Sequence, residues 1–158
     1  PANWQLIDGY LIGPGANLTG ADLTDATLTG ADLGWARLTD ATLTGATLTG
    51  VTLYIVKSGG ITYDGTPPTL PTDWQLIDGY LIGPTANLNG ATLTSQDLSG
   101  ANLTNAYLIN AHLNGVNLSG ANLSGANLAG VSGAAKYNSA TILPAGFDPV
   151  AAGWTLVS

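Results

Sequence analysis

The chain has 158 residues, 45% of them hydrophobic and 8% charged, with a formal net charge of −7. That is enough apolar material for one sizeable core, and it is not the low-hydrophobicity, high-charge profile of a disordered polymer. Acidity comes from ten Asp without any Glu, against only Arg37, Lys57 and Lys136, and there is no Cys; nucleic-acid and anionic-membrane binding, disulfides, thiolate zinc sites and thiol nucleophiles are thereby set aside.

No apolar run approaches the roughly 20 residues of a membrane-spanning helix. No signal peptide precedes Pro1, and a chain that opens on Pro rather than Met is expected to be a mature form or a piece of a longer array.

The first predicted element is a hairpin. Trp4 to Ile7 and Tyr10 to Ile12 are short β-prone runs separated by Asp8-Gly9, a pair that tolerates the positive φ angles of a two-residue turn. Gly13-Pro14 then breaks the strand. The whole stretch WQLIDGYLIGP recurs unchanged at Trp74 to Pro84, an offset of 70 residues. A second hairpin is expected there.

Behind each hairpin lies a run in which leucine falls at every fifth position. The first run has Leu18, Leu23, Leu28, Leu33, Leu38, Leu43, Leu48 and Leu53, and the second continues from Leu88 in the same step to Leu128. Five is a multiple of neither the strand period nor the helix period, so neither element would bury these residues together. A short extended piece followed by a bend would return each leucine to one interior. The residue two after Leu must make that bend, and it is a turn-forming type such as Gly20, Asp25, Gly30, Asp40, Gly90, Ser95, Asn105 or Asn110. Two before Leu stands Ala in fourteen units and Val51, Val116 or Gln96 in the others, which sets a small residue beside each large one. Thr, Asn, Asp and Ser flank the leucines and are expected to face water, within reach of their equivalents on neighbouring coils.

The pattern A(D/N/T)L(T/S)(G/D/N) resembles the pentapeptide-repeat family, and its seventeen units cover 85 of the 158 residues. The resemblance implies an all-β fold, a right-handed quadrilateral β-helix with four pentads per coil, here a pentapeptide-repeat solenoid with β-hairpin insertions. The expected organisation is a hairpin plus repeat module over 1–73, a second over 74–143, and a tail over 144–158 that resembles the start of a third module, since Trp154-Thr155-Leu156 echoes the hairpin opening. Residues 54–85 either add irregular coils or protrude; one continuous stack interrupted by the hairpin is favoured. The ending from Tyr137 is similar to the tail that precedes a Pro-Glu-Pro sorting signal in some exported bacterial proteins, which implies a location outside the bacterial cell or at its surface.

Departures from the pattern mark candidate contact surfaces. Trp35 holds a bend position, Tyr54, Tyr107 and Ile109 stand on outward positions, and Trp154 belongs to the tail. Exposed aromatics can serve as contacts or be covered by the hairpin segments. Gln96, on the inner wall, is expected to mark a local bulge, because a buried amide needs a partner.

Reactive groups are few. His112 is the one histidine and sits outward in a repeat, Asp22 and Asp32 fall on opposite sides of a four-pentad coil, and no loop gathers the oxygens that calcium requires. No catalytic, cofactor-binding or metal-binding residue is named, and no cofactor or small-molecule substrate is expected. The functional expectation is a non-enzymatic structural or interaction module, self-associating head to tail through β-helix ends into a filament or surface layer, with itself or another protein as partner. Two alternatives stand beside it. Some pentapeptide-repeat proteins are similar to duplex DNA and bind type II topoisomerases, and a Thr grid such as Thr27, Thr29, Thr47 and Thr49 is a surface type that binds ice or polysaccharide.

Overall fold

The structure is a computed structural model and describes residues 3–158. The chain divides into two compact units, the first ending at Leu81 and the second beginning at Ile82. Each is described by itself.

Unit 1 opens with the expected hairpin. Strand β1 (Gln5–Ile7) pairs antiparallel with β2 (Tyr10–Ile12), Leu6 opposite Leu11 and Ile7 opposite Tyr10. Asp8 and Gly9 both adopt positive φ, 49° and 84°, as a two-residue primed turn demands. Beyond Pro14 the chain winds into square coils. Parallel bridges join residues twenty apart, Asn17 to Arg37 to Lys57 on one side and Asp22 to Thr42 to Thr62 on the next, so four pentads complete one turn.

The local chemistry of one pentad explains the coil. The Leu18 N–H donates to the Arg37 carbonyl at 2.8 Å and the Arg37 N–H donates to the Ala16 carbonyl at 2.9 Å, so the backbone of each side is satisfied by the coil beside it. The corner is closed by Ala21 N–H donating back to the Leu18 carbonyl at 3.1 Å, with Gly20 at φ 67°. Positive φ at the third turn position is what the bend residues supply. A second device sits just before a Leu wherever Asp or Asn precedes it: the Asp22 carboxylate accepts the Thr24 N–H at 3.1 Å, and Asp32, Asn102, Asn117 and Asn122 do the same for the residue two places on. This local turn fixes the backbone leading into the bend.

Inside the coils the leucines stack as one column and the alanines as another, both essentially sealed from water from Ala16 through Leu48. Each buried leucine contributes about 1.5–3 kcal/mol of transfer free energy. The third coil is built from residues outside the strict repeat. Lys57, Thr62 and Thr69 continue three of the ladders, with 22 rather than 20 residues from Thr47 to Thr69 to accommodate the turn around Asp64-Gly65. Residues 54–70 therefore extend the coil. Strand β3 (Gln75–Ile77) and β4 (Tyr80–Ile82) form the second hairpin, whose turn repeats the positive φ values of the first at Asp78 and Gly79.

Unit 2 repeats the square coil. Its ladders run Asn87–Tyr107–Asn127, Thr92–His112–Ser132, Asp97–Asn117–Lys136 and Asn102–Asn122–Ile142. At its end β5 (Lys136–Tyr137) pairs in parallel with β6 (Thr155–Leu156), which adds one more strand to the third ladder. One expectation is corrected here. Gln96 causes no bulge: it is half-buried rather than sealed in the core, and the regular bridge from Asp97 to Asn117 passes beside it, with the Asn117 N–H on the Gln96 carbonyl at 3.0 Å. The residues after Trp154 join the parallel ladder of the preceding coil.

Candidate interaction surfaces

The sequence-derived contact residues divide between the two units. In unit 1, Trp35 and Tyr54 meet at one corner, ring centroids 5.1 Å apart and nearly perpendicular, and remain 58% and 43% exposed. Trp35 holds φ 59° and Ile55, one coil on at the same corner, φ 54°. A β-branched residue in the left-handed region is a true outlier, so this corner carries backbone strain of roughly 1–3 kcal/mol per residue. On the adjoining side Arg37 and Lys57 follow one another up a single ladder, both exposed, beside the aromatic corner. In unit 2, Tyr107 and Ile109 are half-buried, and the Ile109 N–H donates to Asn89 Oδ1 at 2.8 Å across the coil step.

Trp154 lies inside rather than outside. It is 5% exposed, with its ring 4.8 Å from Phe147 and 6.5 Å from Tyr137, and its indole N–H has no partner among the described residues. The end of unit 2 instead exposes Ile142, Val150 and Leu156 at 52%, 75% and 64%.

The polar ladders are built as the flanking residues require. Asn117 Nδ2 donates to Asp97 Oδ1 at 3.0 Å, Thr42 and Thr62 hydroxyls lie 3.4 Å apart, and His112 Nδ1 is 2.8 Å from Ser132 Oγ. His112 is thus an exposed ladder residue. Asp22 is held below the usual carboxylate range first by the Thr24 hydroxyl, then by the Thr24 N–H; Asp97 is lowered chiefly by the Ser99 hydroxyl, then by the Ser99 N–H, with a smaller share from Asn117. Both carboxylates are fully exposed and act as turn acceptors. Asp22 and Asp32 stand on ladders two sides apart, Thr27, Thr47 and Thr69 form a third, and no metal-holding cluster occurs among the described residues.

Sequence reasoning missed one exposed apolar pair. Leu6 and Leu11 lie side by side on the first hairpin at 72% and 62% exposure. The alternation of the strands signals it, since one face of the hairpin must turn away from Ile7, Tyr10 and Ile12.

Square coils of four pentads, a Leu and Ala core and bends of positive φ define a right-handed quadrilateral β-helix, a scaffold whose surfaces are ladders of side chains. The pentapeptide repeats family matches in eight copies, over residues 16–53, 86–125 and 101–132, and the chain belongs to it. Among solved structures, a pentapeptide repeat protein from Nostoc PCC 7120 is 28% identical, covering 91% of this chain and 83% of its own, with a TM-score of 0.38. HetL, a pentapeptide repeat protein involved in heterocyst differentiation regulation from Nostoc sp. strain PCC 7120, is 24% identical over 88% of this chain and 84% of its own, with a TM-score of 0.39. QnrB1, a plasmid-mediated fluoroquinolone resistance protein, is 17% identical over 89% and 86%, with a TM-score of 0.34. A search of curated proteins gives no match.

Proposed function

We propose that the chain is a non-enzymatic structural or interaction module that works outside the cell and joins end to end with β-helical modules, its own copies included, toward a filament or surface layer. The observation that carries this reading is where the exposed apolar side chains lie. Leu6 and Leu11 stand on the opening hairpin of unit 1, and Ile142, Val150 and Leu156 on the closing segment of unit 2, whereas the coil ladders are mostly threonine, asparagine and aspartate, with exposed aromatics at Trp35, Tyr54 and Tyr63. Apolar groups gathered on a coil end, where backbone donors and acceptors are also left without a next coil, mark a surface suited to association.

A heterologous contact between unlike ends propagates rather than closing. Sedimentation velocity across concentration tests it. Species larger than one chain, growing with concentration, are expected; a particle of one-chain mass at every concentration would end the self-association reading. Extracellular localisation is tested separately, by fractionating cells that express the full-length gene product and probing for the chain in the medium and on the surface.

A further inference from the structure

Two identical stretches of sequence meet different fates in this fold. Leu6 and Leu11 sit opposite one another across β1 and β2 and share one face of the hairpin. Their counterparts in the second hairpin are Leu76, half-buried, and Leu81, 0% exposed. Sequence is not the cause, since Trp4 to Pro14 and Trp74 to Pro84 are the same eleven residues. What differs is the surface laid against them.

For the second hairpin that surface is the coil edge Ser58-Gly59-Gly60-Ile61. The Leu81 N–H donates to Ser58 Oγ at 2.9 Å, on a serine only 6% exposed, and the Ile61 N–H donates to the Gly79 carbonyl at 3.1 Å. Contact is close enough to need glycine on both sides. A Cβ on Gly59 would stand 3.1 Å from the Tyr80 ring, and one on Gly79 would stand 2.8 Å from the Gly60 nitrogen. In the first hairpin the same groups are in place: the pair next to a two-residue turn, Ile7 and Tyr10, faces inward in hydrogen bonding, which leaves the Leu11 N–H pointing away from β1 as the Leu81 N–H points away from β3.

We propose that the Leu6–Leu11 face is a docking surface for the end of a pentapeptide coil that presents Ser-Gly-Gly-Ile, the edge chemistry of residues 58–61. This rests on the reading of the chain as an end-to-end module and names the partner at its hairpin end. A second copy offers that edge only in a poorer form, so its docking on this face is expected to be weaker. Its own Ser58–Ile61 lies under its own hairpin, and the corresponding stretch of unit 2, Ser132-Gly133-Ala134-Ala135, replaces the second glycine with alanine and already commits the Ala135 carbonyl to the Thr155 N–H at 2.8 Å.

The test adds residues 15–70 ahead of Pro1 in the full chain, so that the junction Leu70-Pro1-Ala2-Asn3-Trp4 reproduces the natural run Leu70-Pro71-Thr72-Asp73-Trp74. Amide exchange at Leu11 is expected to slow by about tenfold or more relative to the unextended chain. Leu11→Lys is expected to lower the melting temperature of the extended chain and leave that of the unextended chain unchanged. Equal exchange in the two chains, equal effects of Leu11→Lys, or added coils that gain no protection of their own leucine amides would each overturn the proposal. Protection of Leu11 that rises with concentration in the unextended chain until it equals that of the extended chain would make a second copy an equally good occupant, overturning the proposal while supporting self-association. A unextended chain that stays monomeric removes self-association and leaves the extended chain to decide the docking face.

Discussion

The Asp25 side chain leans across the corner above it, into the space a Cβ on Gly45 would occupy. Asp25 and Gly45 are bend residues twenty apart on the same corner, with φ of 57° and 63°. The same relationship joins Asn105 to Gly125 and Asn110 to Gly130. An Asp or Asn side chain in one bend thus calls for glycine in the next, a rule of stacking rather than of any single turn. Gly50 has equally positive φ, 68°, but open space around it. Gly50→Ala is therefore expected to cost about 1–2 kcal/mol, the strain of an L-residue in the left-handed region. Gly45→Ala should cost measurably more, and part of the excess should return in Gly45→Ala with Asp25→Gly. Denaturant midpoints of the four proteins check this.

The leucine column should be as sensitive as any close-packed core. Leu43 is wholly buried in the middle coil of unit 1, and Leu43→Ala is expected to lose about 2–5 kcal/mol. Thr49, exposed in the same coil, should tolerate Ala within about 0.5 kcal/mol. Equal losses at the two positions would contradict the inward and outward assignment.

Acid should weaken the fold in a defined window. Asp22 and Asp97 are held below their ordinary value of 3.8 by the hydroxyl and amide donors described above. A carboxylate whose folded-state pKa is depressed contributes stability that is present above its unfolded value and lost as pH falls through the folded one. Unfolding midpoints are expected to be flat between about pH 7 and pH 5 and to fall below about pH 4. Asp22→Asn with Asp97→Asn should reduce that acid limb while keeping the turns, because Asn17 and Asn122 already accept from the residue two places on. An undiminished acid limb in the double variant would show that these carboxylates are not its source.

Trp154 should behave as a core residue whose nitrogen is dispensable. Buried against Phe147 and Tyr137, it is expected to cost about 3–5 kcal/mol when replaced by Ala. Trp154→Phe keeps an aromatic ring and removes an indole N–H that has no partner among the described residues, so about 1 kcal/mol or less is expected. Thermal unfolding followed by near-ultraviolet circular dichroism separates the two.

Much of the architecture was readable because it is local. Leu23 and Ala26 are buried, and Gly30 bends, for reasons contained within five residues, and the Asp8-Gly9 turn needs only two. The role of Asp22 and Asn102 as acceptors for their own turns is open to the same local reasoning, since Asn and Asp favour such turns. What could not be read locally depends on a neighbour distant in the chain. Leu11 and Leu81 have the same sequence context, and only the Ser58–Ile61 edge separates an exposed residue from a buried one. The burial of Trp154 is likewise not local, because its partner Phe147 comes from an irregular loop that no repeat specifies.

The twenty-residue spacing of the bridges also sets how such a chain can change length. Deleting one pentad would turn every later residue a quarter of the way round the square, so that Asp22 and Asn17 would each face the wrong ladder, whereas deleting four would remove a storey and leave all the walls in register. Insertions and losses are thus quantised, with whole storeys the natural unit of variation and the irregular segments near Asp64 and Pro144 the places where a fractional count can be absorbed.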